Sequence, residues 1–265
     1  MNIIVAIKQV PETSNVKMDP VTGTMLRSGV ETVVNPLDLY AIETALRLRD
    51  QLGGRVTVLT MGPAQAVKAL KEALAMGCDD AVLVSDRKFG GSDTWATSYT
   101  LSKAIQKIGA FDLILTGERA TDGDTAQVGP GIAAWLDLPL ATYVAHIQEA
   151  TATGLRVDRL VEEGYQELRI PLPALITVVK EIAAPRLPTL RGKKKAIVAV
   201  IPVFSTENLD LDPACIGLKG SPTKVVKIET PKVSRGGTVV LAADDQGVVQ
   251  AVDQLMQYLI AKELV

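Results

Sequence analysis

Hydrophobic and polar positions follow one regular rhythm through the first 140 residues. Short β-compatible apolar runs at Ile3–Ile7, Arg55–Thr60, Ala81–Val84 and Asp112–Thr116 predict strands covered on both faces. Between them, apolar residues recur at helical spacing. Leu39, Ile42, Ala45, Leu46 and Leu48 predict a helix over Asp38–Arg49, behind the break at Asn35–Pro36. Further helices are predicted over Ala64–Met76, over Ser92–Ile108 with Ser92, Asp93 or Thr94 as cap, and onward through Trp135. Strand–helix alternation of this kind predicts a doubly wound, mostly parallel α/β sheet that binds ligands at its C-terminal strand ends.

The second half of the chain loses that rhythm. Leu155–Val161 and Tyr165–Ile170, separated by a glycine turn, predict an antiparallel hairpin extending the sheet, and Leu175–Val179 a further apolar strand. Ala184–Lys195 carries prolines and cations without periodicity and is expected to be an exposed loop. Ala196–Val203 is expected to add a short strand, and 205–240 to run extended. Gln246–Lys262 then places Val248, Val249, Val252, Leu255, Met256, Leu259 and Ile260 on one face of a helix. The expected organisation is therefore an α/β domain over 1–204 and a C-terminal arm over 205–265. The arm's apolar helix either grips another polypeptide or docks onto its own domain.

Composition narrows the function classes. A chain of 265 residues with 47% hydrophobic residues can bury a substantial core. A net charge of −2 gives no general attraction to nucleic acid or to an anionic membrane. The run Ala196–Phe204 is too short to span a bilayer, and the start, MNIIVAIKQV, is expected to be a first strand rather than a signal peptide. Cys78 and Cys215 show no metal or redox spacing and are expected to be reduced, buried thiols of a cytoplasmic protein. The single histidine, His146, has no cluster around it and is expected to be structural; no metal site is predicted.

Candidate chemistry concentrates at the strand ends. The segment DGDTAQVGP (122–130) follows a strand and opens a helix, where free N–H groups can bind phosphate. Gly123, Gly129 and Gly131 would let a ligand approach the backbone, and Thr125 and Gln127 offer neutral hydrogen bonds. A helix capped by Asp122 or Asp124 fits the same residues, and two aspartates would repel a phosphate unless turned elsewhere. Four other segments, VAIKQVP (5–11), VNPLDLYAIETALRL (34–48), TMGPAQAVKAL (60–70) and SDRKFGGSDTWATSYTL (85–101), end at the same predicted edge. Neither the P-loop pattern nor GxGxxG is present, and no catalytic constellation with histidine can be drawn. A cofactor is therefore expected to carry the chemistry, with no catalytic residue supplied by the protein.

These motifs, together with MGPAQ, ALAMGCDDAVLVSD and the segment LPALITVVKEIAAPRLPTLRGKKKA (172–196), resemble the β subunit of electron-transfer flavoproteins over essentially the whole chain. The resemblance implies an adenine-nucleotide α-hydrolase-like fold and a heterodimer with an α subunit that holds one FAD. Simple carriers of the family hold AMP in the β subunit. SDRKFGGSDTWATSYTL and DGDTAQVGP instead resemble the electron-bifurcating (FixA-like) group, with a second FAD reduced by NADH. Partners implied are an acyl-CoA or other flavin-dependent dehydrogenase and ferredoxin or flavodoxin, with no nucleic acid and no direct membrane insertion. By position, Ala6, Asn35, Pro36, Leu37, Asp38, Met61 and Gly62 are implied to meet the nucleotide. Asp122, Gly123, Asp124, Thr125, Ala126, Gln127, Val128 and Gly129 are implied around its phosphates, with Thr94 and Thr97 near the flavin. Leu190, in the recognition loop 184–195, is implied to enter a partner dehydrogenase, and the arm to grip the α subunit. GERAT (117–121) and Lys88 depart from the usual family pattern.

Overall fold

A computed structural model of the protein describes residues 1–12, 31–226 and 239–265. The elements, in chain order, are β1 (Asn2–Ala6), β2 (Gln9–Pro11), β3 (Thr32–Val34), α1 (Pro36–Leu52), β4 (Arg55–Met61), α2 (Val67–Met76), β5 (Asp80–Val84), α3 (Thr94–Ile108) and β6 (Leu113–Gly117). There follow α4 (Val128–Leu136), β7 (Leu140–Ala150), β8 (Gly154–Val161), β9 (Gly164–Pro171), β10 (Ala174–Val178), α5 (Leu190–Val198), β11 (Val203–Phe204), α6 (Gly217–Gly220) and α7 (Asp245–Ala261).

Nine strands form one sheet in the order β11-β5-β4-β1-β6-β10-β7-β8-β9. Every pairing from β11 to β7 is parallel, and β8 and β9 continue antiparallel as the expected hairpin. The pleat explains the continuous apolar runs. Ile3, Val5, Leu113 and Leu115 enter the core beneath α1 and α2, while Ile4 and Ile114 enter the core beneath α3 and α4.

Side-chain size sets how closely α4 approaches its neighbours. A Cβ on Gly131 would lie 2.8 Å from the Ser98 Cβ of α3, and one on Gly129 would lie 2.8 Å from Thr116 Oγ1 and from Thr177 Cγ2. These glycines were expected to admit a ligand. Instead they admit helix α3 and the sheet.

Several expectations fail for local reasons. The stretch 184–195 is not loop throughout: α5 begins at Leu190 because the Thr189 hydroxyl accepts the Gly192 N–H (2.9 Å) and caps a proline-free run. Of the expected strand over Ala196–Val203 only Val203 falls in a strand, β11, which continues to Phe204, because α5 occupies the chain up to Val198. Strand β7 was not anticipated. Its half-buried pattern is broken by bulges, and Tyr143 takes φ +57°, so two-residue alternation does not show in its sequence.

The compact unit that holds the sheet runs from Met1 to Val226 and the other from Lys227 to Val265. Residues 205–226 pack onto the sheet unit rather than running free: Leu209 and Ile216 are buried, and the Asp212 N–H donates to the Tyr99 hydroxyl (2.8 Å). Residues 227–238 of the expected extended stretch lie outside the described residues. The second unit contains α7, capped by Asp244, whose carboxylate accepts the Gly247 N–H (2.8 Å). Val252, Leu255 and Met256 of α7 are exposed. Among the described residues no helix is long and apolar enough to cross a membrane.

Replacing Gly131 with Ala overpacks the α3–α4 contact against a Cβ that cannot rotate away, so the variant loses about 1–3 kcal/mol of stability. Urea unfolding should show the loss, and Ser98→Gly in the same chain should relieve part of the clash, seen as a favourable coupling in a double-mutant cycle.

Candidate functional site

The order of the strands reverses at β1. Strands β4 and β5 lie to one side of it and β6 and β10 to the other, so a crevice opens beyond the carboxyl ends of β1 and β6. The segments that line this edge are tied together by two buried side chains. Asp38, in the first turn of α1 and only 5% exposed, accepts the Lys8 N–H that follows β1 (2.7 Å). Burial pushes its carboxyl up to about 7, against the opposing effect of hydrogen bonds from the Lys8 N–H, the Asn35 side chain and the Gly117 N–H at the end of β6. Asn35 is fully buried. Its amide nitrogen donates to the Arg119 carbonyl (2.9 Å) and its amide oxygen accepts the Thr121 N–H (3.2 Å).

Asn35 and Asp38 therefore spend their polar atoms on positioning the loops. Pro36 is exposed and Leu37 half-buried beside them. Ala6 closes β1 almost completely buried, and Met61 and Gly62 close β4 half-buried, with the Gly62 N–H donating to the Val84 carbonyl (3.0 Å).

The loop 122–127 has the geometry of an anion cradle. Ala126 takes φ +55°, and Gln127 follows at φ −100°, ψ −21°. Left-handed followed by right-handed backbone turns successive N–H groups toward one point. The N–H groups of Thr125, Ala126, Gln127, Val128 and Gly129 have no protein acceptor among the described residues. Helix α4 begins at Val128, so Pro130 falls in its first turn, where a missing N–H costs nothing. A Cβ on Gly123 would meet nothing within 4 Å, so this glycine alone of the expected three faces open space.

The two aspartates of this loop do not confront an anion as free charges. Asp122 pairs with Lys8 Nζ (2.7 Å) and Asp124 with Arg119 (3.1 Å). Neither Lys8 nor Arg119 was among the residues expected to meet the nucleotide, although GERAT (117–121), which contains Arg119, stood out as a departure from the family pattern. Lys8 was nonetheless visible inside VAIKQVP, one of the convergent strand ends.

Helix α3 meets the same loop: the Thr94 hydroxyl donates to Gln127 Oε1 (2.8 Å). Thr97 lies one turn further on, half-buried. Asp93 caps α3 through the Ala96 N–H (3.0 Å) and also accepts the Thr223 N–H (2.9 Å) and hydroxyl (2.8 Å). Gly90 and Gly91, inside SDRKFGGSDTWATSYTL, are exposed; the Gly90 carbonyl accepts the Leu218 N–H (3.1 Å), and Gly91 packs against the Leu218 side chain.

The structure does not bring every singled-out residue to the crevice. Leu190 stands apart, 81% exposed, where the preceding Thr189 N–H donates to Ala75 at the end of α2 (3.3 Å). His146 is half-exposed on β7, its Nδ1 3.8 Å from Asp158. Cys78 is buried, which pushes its thiol up to about 12, whereas Cys215 is partly exposed rather than buried as expected. Among the described residues no group of histidine, cysteine and carboxylate side chains could hold a metal ion.

Comparison with known proteins gives a consistent picture. Residues 22–203 match the model of the electron transfer flavoprotein domain. The chain is 47% identical over 272 residues to the electron transfer flavoprotein subunit beta of Megasphaera elsdenii, covering 100% of each. It is 46% identical over 241 residues to the caffeyl-CoA reductase-Etf complex subunit CarD of Acetobacterium woodii, covering 91% of this chain and 92% of that one. It is 47% identical over 238 residues to the protein FixA of Azotobacter vinelandii, covering 88% and 85% respectively.

The environment of Asp38 makes stability depend on pH. Its carboxyl titrates at about 7 in the folded chain against 3.8 for the ordinary group, so the folded state holds an extra proton between those values. Stability therefore falls as pH rises from about 4 to about 7, by at most about 4 kcal/mol, and then levels off. Urea unfolding between pH 5 and 8 should show this slope, and Asp38→Asn should lack it. Equal slopes in the two proteins would reject the assignment.

Proposed function

The chain belongs to the electron transfer flavoprotein family as a β subunit, and we propose that it binds FAD in the crevice beyond β1 and β6. In this reading the αβ heterodimer oxidises NADH and divides the electrons. One passes by way of the α-subunit FAD to an acyl-CoA or other flavin-dependent dehydrogenase, the other to ferredoxin or flavodoxin. When bound, FAD supplies the hydride and one-electron chemistry, and the protein binds, orients and excludes water.

The observation that carries the reading is the set of unpartnered N–H groups at Thr125–Gly129, aimed by the left-handed Ala126. It fits a pyrophosphate: the donors are backbone groups at a helix start, Gly123 leaves space, and Lys8 and Arg119 neutralise the neighbouring carboxylates. Thr94, held to Gln127, presents its hydroxyl from α3 to the same loop, and Thr97 lies one turn further along that helix. The similarity to CarD, named as part of a caffeyl-CoA reductase complex, favours a dehydrogenase of acyl-CoA type as partner.

The apolar residues of α7 fit burial against the α subunit, since Val252, Leu255 and Met256 are exposed in this chain. The free cysteines fit a reducing, cytoplasmic compartment. The alternative occupant is AMP, the structural ligand of a simple carrier, because the cradle accepts a single phosphate as readily as a pair.

Flavin analysis of the purified αβ heterodimer separates the two. The expected result is two FAD per dimer, with both reducible by NADH. One FAD together with extractable AMP would establish the simple carrier instead.

A further inference from the structure

The segment that carries Leu187 and Leu190 is held by side chains at both of its ends. On one side, Glu43 of α1 has a side chain only 4% exposed, and it receives four hydrogen bonds. Its oxygens accept the Arg186 N–H (3.0 Å), Arg186 Nε (2.8 Å), an Arg186 terminal nitrogen (3.3 Å) and Arg47 Nε (2.8 Å). Arg186 also reaches Asp50, about two α-helical turns further along α1 (3.0 Å). Burial alone would raise the Glu43 carboxyl, but the hydrogen bonds from Arg186 and Arg47 outweigh it and hold the group below the usual carboxylate range.

On the other side, the Thr189 N–H donates to the Ala75 carbonyl (3.3 Å), and Lys195 Nζ donates to the carbonyls of Cys78 (3.1 Å) and Asp79 (3.2 Å). Gly192 packs so closely on the Ala75 carbonyl that a Cβ there has no room. Pro185 and Pro188 fix two backbone φ angles between the anchors. Despite this anchoring, Leu187 is 86% exposed and Leu190 is 81% exposed. A chain segment held this firmly yet presenting two leucines to solvent has already lost the entropy that docking would otherwise cost.

Charge indicates what covers it. Between Ile182 and Thr206 there is no acidic residue, while Arg186, Arg191, Lys193, Lys194 and Lys195 are all cations. Arg186 and Lys195 face inward to their protein acceptors, leaving Arg191, Lys193 and Lys194 to border the leucines.

We propose that the Glu43–Arg186 pair is a clamp that presents Leu187 beside Leu190 as one preformed apolar knob, received by an apolar pocket with an acidic rim on the electron-accepting dehydrogenase. Arg186 is thus a positioning residue for electron delivery, and Leu187 a second docking anchor. The proposal rests on the reading of this chain as an electron-transfer subunit, and the experiment keeps the two apart.

The test uses the αβ heterodimer, with an acyl-CoA dehydrogenase as acceptor. Arg186→Ala should raise the KM for the dehydrogenase about 10-fold with kcat, flavin content and NADH reduction unchanged, and Leu187→Ser should do the same. Arg186→Lys, which keeps the charge but not the forked contacts, should recover only part of the loss. Raising the salt should raise the wild-type KM, because an acidic rim is screened. Amide exchange at 184–192 should quicken about 10-fold in Arg186→Ala and stay unchanged in Leu187→Ser.

Unchanged exchange in Arg186→Ala overturns the clamp whatever the kinetics, which also covers an acceptor that does not react. An unchanged KM in Leu187→Ser overturns the second anchor, and a KM indifferent to salt overturns the acidic rim. A Leu190→Ala control that leaves KM unchanged refutes the docking reading itself. A Leu190→Ala effect without an Arg186→Ala effect refutes only the proposed clamp.

Discussion

The crevice depends on one buried carboxylate. Asp38 lies where β1 ends, where α1 begins and where β6 ends, and it accepts hydrogen bonds from all three places. Burying a carboxyl group is costly unless donors replace the lost water, and here the N–H groups of Lys8, after β1, and Gly117, in β6, supply only part of that replacement, so the group holds its proton up to about 7. The constraint also runs in the other direction. Moving β1 and β6 apart would leave a buried polar group unsatisfied, so the strand ends keep their separation and the switch point stays open. Asn35, immediately before α1, does for residues 119–121 what Asp38 does for the strand ends.

Relative magnitudes decide which contacts position the cradle. Lys8–Asp122 and Arg119–Asp124 are conspicuous, but their cations are half-exposed, and such pairs contribute about 0–1 kcal/mol each. Their effect is electrostatic: they remove two negative charges from the approach to the free N–H groups of Thr125–Gly129. Position comes instead from the buried Asn35 and Asp38, where losing a single partner costs about 1–3 kcal/mol. The left-handed Ala126 is strained by roughly 1–2 kcal/mol, and only a loop already held at its start retains such a residue.

Much of this architecture can be read from residue order, because continuous apolar runs and helical periodicity report burial directly. Ile3–Ile7 and Asp112–Thr116 identified the two strands that frame the crevice, and Asn35–Pro36 identified the start of α1. What escaped depends on contacts distant in sequence. Strand β7 is stabilised by pairing with β10 and β8 and carries no clear alternation of its own. Helix α5 is short, lysine-rich and set against α2, so its periodicity is too brief to separate from loop. Gly129 and Gly131 show the same limit inside the candidate site. A sequence shows that a side chain is missing, but not whether a ligand, a threonine or a serine stands opposite.

Helix α1 connects the two ends of the molecule's chemistry. Its first turn carries Asp38, which organises the crevice, and its later turns carry Glu43 and Asp50, which hold Arg186. At 1.5 Å per residue, Asp38 and Asp50 are about 18 Å apart along one rigid axis. The face of α1 between them is locked into the core by Ala41, Ile42, Ala45 and Leu46, all fully buried. The crevice and the segment that carries Leu187 and Leu190 therefore keep a fixed relation to each other. One helix packed this tightly supplies that relation without a hinge. The same packing anchors the exposed leucines to α1 rather than leaving them on a free loop, so the proposed contact surface keeps one position relative to the crevice.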